Sequence, residues 1–216
     1  MTRSFVNQQQ LVSMLMSKSS QGRILVAIVG PPGVGKSTVS QDICQLLNQH
    51  KNNICSVLPM DGFHFDDGYL DQQGWTARKG APHTFDVGGL LNIIKRLSIN
   101  EEDHIAIPLF DRDIEIARAG AAIISQSSQI ILIEGNYLLL EDKPWSDLNN
   151  YFDLSIMLVA DADVLNMRLS QRWLELGFSK RDVEKKLDDN DLINVKVVTE
   201  KSIDADYYLK TESTTL

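Results

Sequence analysis

Cysteine is nearly absent: Cys44 and Cys55 are the only two in a chain of 216 residues. Two thiols are too few for a disulfide framework and match no metal-ligand spacing, so a reducing cytosol fits the sequence and both read as small core residues. Positive charge is also in deficit, with 21 Lys and Arg against 29 Asp and Glu and a net charge of −8. A broad nucleic-acid surface needs clustered cations to displace counterions, so that class of partner is not expected. Trp75, Trp145 and Trp173 show no spacing suited to stacking bases. No apolar run approaches the roughly 20 residues that span a bilayer. The opening "MTRSFVNQQQ" lacks the apolar centre of a signal peptide, and no repeat or low-complexity linker interrupts the chain.

What is present is a regular alternation. "RILVAIV" (23–29) is a continuous apolar run of the kind found in a parallel strand buried on both faces. Further strands are expected at 54–60, 104–110, 129–135 and 152–160, with an edge strand at 206–210 before a polar tail. A short leading helix is expected within 4–17. Other helical patterns fall at 37–48, 87–97, 161–176 and 180–188. Strands alternating with helices predict one doubly wound α/β domain over 1–216, with a mostly parallel sheet. Residues 61–86 carry Gly, Pro, Asp and aromatics without a period, and a loop of that length in a compact domain is usually functional.

The strongest local signal directly follows the first strand. Gly30-Pro31-Pro32-Gly33-Val34-Gly35-Lys36-Ser37 satisfies G-x-x-x-x-G-K-S/T, with a buried strand before it and an amphipathic helix after it. Glycines let backbone N–H groups converge on phosphate oxygens, and the helix N-terminus adds its positive end. Lys36 reaches the β- and γ-phosphates of a nucleotide, the Ser37 hydroxyl is placed for Mg²⁺, and Thr38 is a further contact. In open α/β sheets ligands bind beyond the carboxyl ends of the strands. Those ends supply Asp61 and His64 from "MDGFH", Asp111, Arg112 and Asp113 from "LFDRD", and Glu134 and Asn136 from "IEGNY". Asp61 is placed either to take the proton of an attacking hydroxyl or to cap its own turn. Glu134 is a candidate Mg²⁺ ligand, direct or through water, or else a turn residue paired with a base. Arg168 and Arg172 share a helix face and either close over ATP or form a solvated face. Arg78 and Lys79 either draw in a polar acceptor or fix the loop, while His83 reads as a loop contact.

"GPPGVGKST", "PMDGFH", "RKGAPHTFD", "PLFDR" and "ILIEGNYLLL" occur in the order seen in the uridine kinase, pantothenate kinase and phosphoribulokinase group of P-loop kinases. Over residues 22–198 the chain most resembles the YggC-like or "fructose transport system kinase" branch of that group. The resemblance implies ATP- and Mg²⁺-dependent transfer of a γ-phosphoryl group to a hydroxyl of a small metabolite: a sugar, a pantothenate-like compound or a nucleoside. It implies Asp61 as base, with Arg168 and Arg172 as groups of a helical lid over about 161–190. It also allows a homodimer, on which the sequence itself is silent. Uridine kinases carry Ser and Tyr after the catalytic acid where this chain has "GFH", which moves the match toward the pantothenate kinase pattern. The competing expectation is an ATPase or nucleotide switch without a small-molecule acceptor. "DQQG" (71–74) superficially fits a GTPase switch, but the chain has no N-K-x-D guanine reader.

Overall fold

The computed structural model describes residues 3–211; the polar tail expected at the end, 212–216, lies outside them. Strands run over Ile24–Val29 (β1), Cys55–Pro59 (β2), His104–Asp111 (β3), Ile116–Ser125 (β4), Ile130–Gly135 (β5), Leu154–Val159 (β6) and Tyr207–Lys210 (β7). Helices span Gln8–Ser19 (α1), Lys36–His50 (α2), Asp67–Gln72 (α3), Val87–Ile99 (α4), Ala162–Glu175 (α5), Lys180–Lys186 (α6) and Leu192–Lys201 (α7). Five strands pair in parallel in the order β2-β5-β1-β6-β7.

Side-chain alternation explains why β1 and the first four residues of β5 are all apolar. Leu25, Ala27, Val29, Ile131 and Ile133 face one side, where they pack against Leu90, Ile94 and Leu97 of α4. Val26, Ile28, Ile130 and Leu132 face the other, against Leu11 and Leu15 of α1 and Val39, Ile43 and Leu47 of α2. A strand covered on both faces has no polar edge to show to water, hence the unbroken runs. No helix among the described residues is long and apolar enough to cross a membrane.

Three expectations need correction. The run at 104–110 is a strand, but it leaves the parallel sheet and forms an antiparallel hairpin with β4, which had not been anticipated. Ile105, Ile107 and Ile124 of that hairpin join the α4 side of the core, while its other face meets solvent. Residues 61–86 are not a bare loop: they hold the short helix α3 and three single turns of 3₁₀ helix. The helix expected at 180–188 is α6, followed by a wide π-type turn over Leu187–Asp191 and then by α7. Smaller shifts affect boundaries only, the leading helix starting at Gln8 rather than at residue 4.

Candidate active site

The register of the sheet brings three strand ends together. β5 lies between β1 and β2, and Glu134 is level with Ile28 on one side and Pro59 on the other. β1 therefore delivers the glycine loop, β5 delivers Glu134, and β2 delivers Asp61 two residues beyond Pro59. Gly33 and Gly35 adopt φ of 79° and 93°, a region that favours glycine, and turn the chain into α2. Gly30 has another reason to lack a side chain: a Cβ there would stand 2.8 Å from the Leu158 carbonyl oxygen of β6.

Lys36 donates to the Pro31 carbonyl at 3.1 Å, which folds its ammonium over the loop. Burial lowers the Lys36 pKa, while the Glu134 and Asp61 carboxylates oppose that shift. Ser37 Oγ donates to Glu134 Oε1 at 2.9 Å. Glu134 is only 5% exposed, and burial pushes its carboxyl above the usual range; the charge of Asp61 adds to this, and Lys36 and Ser37 work against it. Two oxygens this close at a helix N-terminus fit Mg²⁺, which is held by one or two protein oxygens together with phosphates and waters. The pair is thus a suitable donor set for that ion.

Asp61 opens a 3₁₀ turn, Met60–Phe63, and its carboxylate accepts from Arg112 Nη2 at 3.1 Å. A Cβ on Gly62 would collide with the Pro108 carbonyl of β3, so the "DGF" turn can press against the hairpin only as glycine. That contact is what places Arg112, in the hairpin turn, beside Asp61. His64 is tied back by Nδ1 to the Asp61 carbonyl at 2.8 Å and packs at a tilt against Phe85 and Phe110, with centroids 4.1 and 4.8 Å away. Burial keeps the His64 pKa low, with Asp61 partly opposing it.

Asp61, His64, Lys79, Arg112, Asn136 and Arg172 all line one cavity of about 760 Å³, with Pro32 of the glycine loop at its edge. Asp113 also lines it, and the other candidates are either held by neighbours or placed elsewhere. Arg78 does not line this cavity; it donates to the Asp189 carbonyl at 2.7 Å and to Asn194 Oδ1 at 3.1 Å, fixing the 61–86 segment to the α6–α7 region. Lys79 faces the cavity but is held by Asp67 at 2.7 Å and by the Glu115 carbonyl at 2.9 Å. Asp111 is taken up by Arg118 at 3.1 Å. His83 packs edge-on against Trp75, a contact within the loop. Arg168 donates to the Gly33 and Val34 carbonyls at 3.4 and 3.1 Å and to Thr211 Oγ1 at 3.3 Å. It therefore braces the glycine loop and, unlike Arg172, does not line the smaller cavity. On that other side of the loop a larger cavity, about 1600 Å³, is lined by Gly35, Thr38, Asp42, Arg168 and Thr211.

Several lining residues were not anticipated. Asp191 ends the π-type turn, is 7% exposed, and accepts from Trp173 Nε1 at 2.6 Å. Asn190, Asn194 and Glu115 also line the cavity. Nothing in the spacing of the acid run "DDND" (188–191) marks one member as buried.

Residues 25–209 match the Phosphoribulokinase / Uridine kinase family. The chain belongs to this family. It is 32% identical to the uncharacterized protein YggC of Escherichia coli (strain K12) over 176 residues, 81% of this chain and 72% of that one. A crystal structure of a "putative fructose transport system kinase" from Silicibacter sp. TM1040 superposes with a TM-score of 0.83 at 36% identity, covering 94% of this chain and 98% of that chain. A pantothenate kinase of Limosilactobacillus reuteri is 26% identical over 168 residues, and the match spans 77% of this chain but only 54% of that enzyme. The family is one of P-loop kinases, and the five-stranded parallel sheet with helices on both faces is their fold.

Proposed function

We propose that the protein is an ATP- and Mg²⁺-dependent kinase that transfers the γ-phosphoryl group to a hydroxyl of a small metabolite. One observation carries the reading: Lys36, Glu134 and Asp61 meet at the ends of three adjacent strands, close enough that each charge shifts the proton affinity of a neighbour. A site that only held nucleotide has no use for a carboxylate facing the terminal phosphate from the next strand.

The geometry divides the labour. The base and ribose of ATP suit the larger cavity beside Thr38 and Thr211, and the triphosphate suits the glycine loop, with Lys36 against its β- and γ-groups. Ser37 and Glu134 would hold the cation, which supplies charge neutralisation between the β- and γ-phosphates when bound. An acceptor hydroxyl in the smaller cavity gives its proton to the Asp61 carboxylate as its oxygen bonds to the γ-phosphorus. The bond from that phosphorus to the bridging oxygen breaks in line, and ADP leaves with the electron pair. Arg112 fixes the Asp61 side chain, and Arg172 faces the charge that spreads over the transferring group.

The test is ADP release from Mg-ATP alone and with added sugars, nucleosides and pantothenate. Turnover that depends on the acceptor supports the kinase. Equal turnover without any acceptor replaces it with an ATPase or switch.

A further inference from the structure

Besides the partly exposed Asp61, the acceptor cavity has a buried carboxylate, Asp191, for which phosphoryl transfer as derived above has no use. Asp191 stands at the end of the π-type turn between α6 and α7, and such wide turns recur at functional sites because they push a side chain out of helical phase. Its Oδ2 takes the Trp173 indole N–H. No hydrogen bond to Oδ1 is found among the described residues. The neighbouring amides are used to hold the turn in place: Asn190 Nδ2 donates to the Lys79 carbonyl at 2.9 Å, Asn194 Nδ2 donates to Asn190 Oδ1 at 3.2 Å, and Asn194 Oδ1 accepts from Arg78. Asp61 and Asp191 both line this one cavity.

The other groups around that space say what it accepts. A carboxylate or phosphate on the acceptor needs an available cation, and most of the cations lining the cavity are engaged. Lys79 is held by Asp67 and Glu115, Arg112 by Asp61, and Lys186 lies over the Trp173 ring at 4.4 Å. Arg172 lies over the Trp173 ring at 5.3 Å, which leaves Lys185, exposed to solvent. A nucleobase needs an open aromatic face. His64 packs at a tilt against Phe85 and Phe110, Trp173 carries Arg172 and Lys186, and Phe178 carries Lys186. What remains open is carboxylate oxygen, the partner that hydroxyl groups need.

Resting on the kinase reading, we propose that Asp191 binds the acceptor and that the acceptor is an uncharged polyol, gripped by hydroxyls other than the one that Asp61 deprotonates. Two carboxylates facing one small molecule select for several hydroxyl donors and against added negative charge.

The first arm of the test uses the unmodified protein with saturating Mg-ATP. Acceptor-dependent ADP release is compared for D-fructose and sorbitol, for D-glycerate and pantothenate, and for uridine. Turnover is expected with a polyol and at least tenfold less with the carboxylates and the nucleoside. The second arm is Asp191→Asn, which keeps an oxygen for the Trp173 indole. Its KM for the polyol should rise about ten- to hundredfold, the effect of losing a hydrogen bond to a charged group, with the KM for ATP within about twofold of the parent. Turnover with a carboxylate or uridine that matches or exceeds that with polyols overturns the proposal and leaves the kinase standing. An unchanged polyol KM in Asp191→Asn does the same. ADP release that no acceptor accelerates overturns the kinase reading and the proposal together.

Discussion

The carboxylate of Asp61 and the guanidinium of Arg112 are 51 residues apart in the chain and 3.1 Å apart in space. Arg112 is 54% exposed and Asp61 30%. An ion pair so open to water contributes at most about 1 kcal/mol to stability. Its importance lies in orientation, because it fixes the carboxylate in the cavity that Pro32 of the glycine loop also lines.

Asp61→Asn should therefore leave folding and ATP affinity largely intact while lowering acceptor-dependent turnover by about 100-fold or more. Arg112→Ala should lower turnover by a smaller factor. Steady-state ADP release and nucleotide titration check both. Parent-like rates in Asp61→Asn would remove that residue from the role of base.

Ser37→Ala and Glu134→Gln test the cation site. Each removes one of two oxygens that lie 2.9 Å apart. The Mg²⁺ concentration giving half-maximal turnover should rise about tenfold or more in each variant, and the double variant should not show the product of the two effects, because both act on one ion. Independent, fully multiplicative effects would argue that the residues do not share a site.

Arg168 and Arg172 lie one helical turn apart but should fail differently. Arg168→Ala removes the brace on the Gly33 and Val34 carbonyls, so the KM for ATP should rise about tenfold with a lesser change in kcat. Arg172→Ala removes a charge facing the transferring group, so kcat should fall about 100-fold or more with ATP affinity nearly kept. The same kinetic signature from both would contradict the division made here.

His64 gives a prediction on pH. Burial lowers its pKa below the ordinary 6.5, so at pH values just under 6.5 the unfolded chain takes up a proton that the folded chain refuses. The stability that the neutral ring contributes is present above that value and is lost as the pH falls below it. Thermal midpoints of the unliganded protein, measured from pH 8 to pH 5.5, should drop more steeply in the parent than in His64→Gln. Parallel curves would mean that the packed imidazole does not resist protonation.

The glycine loop and its strand were legible because the motif is local: its eight residues are consecutive, and their pattern does not depend on distant contacts. Asp61 and Glu134 were legible through topology, since strand ends gather along one edge of a parallel sheet. β3 was visible as a strand but assigned to the wrong sheet. Its alternation, with His104 and Ala106 exposed and Ile105 and Ile107 buried, is the mark of an antiparallel strand with one wet face. Its partner, "IARAGAAIIS", is dominated by small residues and broken by Gly120 at φ 63°, so it gave little hydrophobic signal. Asp191 could not have been singled out. Its burial depends on Trp173, on a turn that widens the helix, and on Asn190 and Asn194, whose partners lie 111 and 116 residues earlier.

Arg78 has a consequence for anyone redesigning this enzyme. Its two hydrogen bonds to residues 189 and 194 root the acceptor-side segment in the opposite wall of the cavity. Transplanting residues 61–86 from a relative will carry the new selectivity across only if residues 187–194 travel with it, since each wall is the foundation of the other.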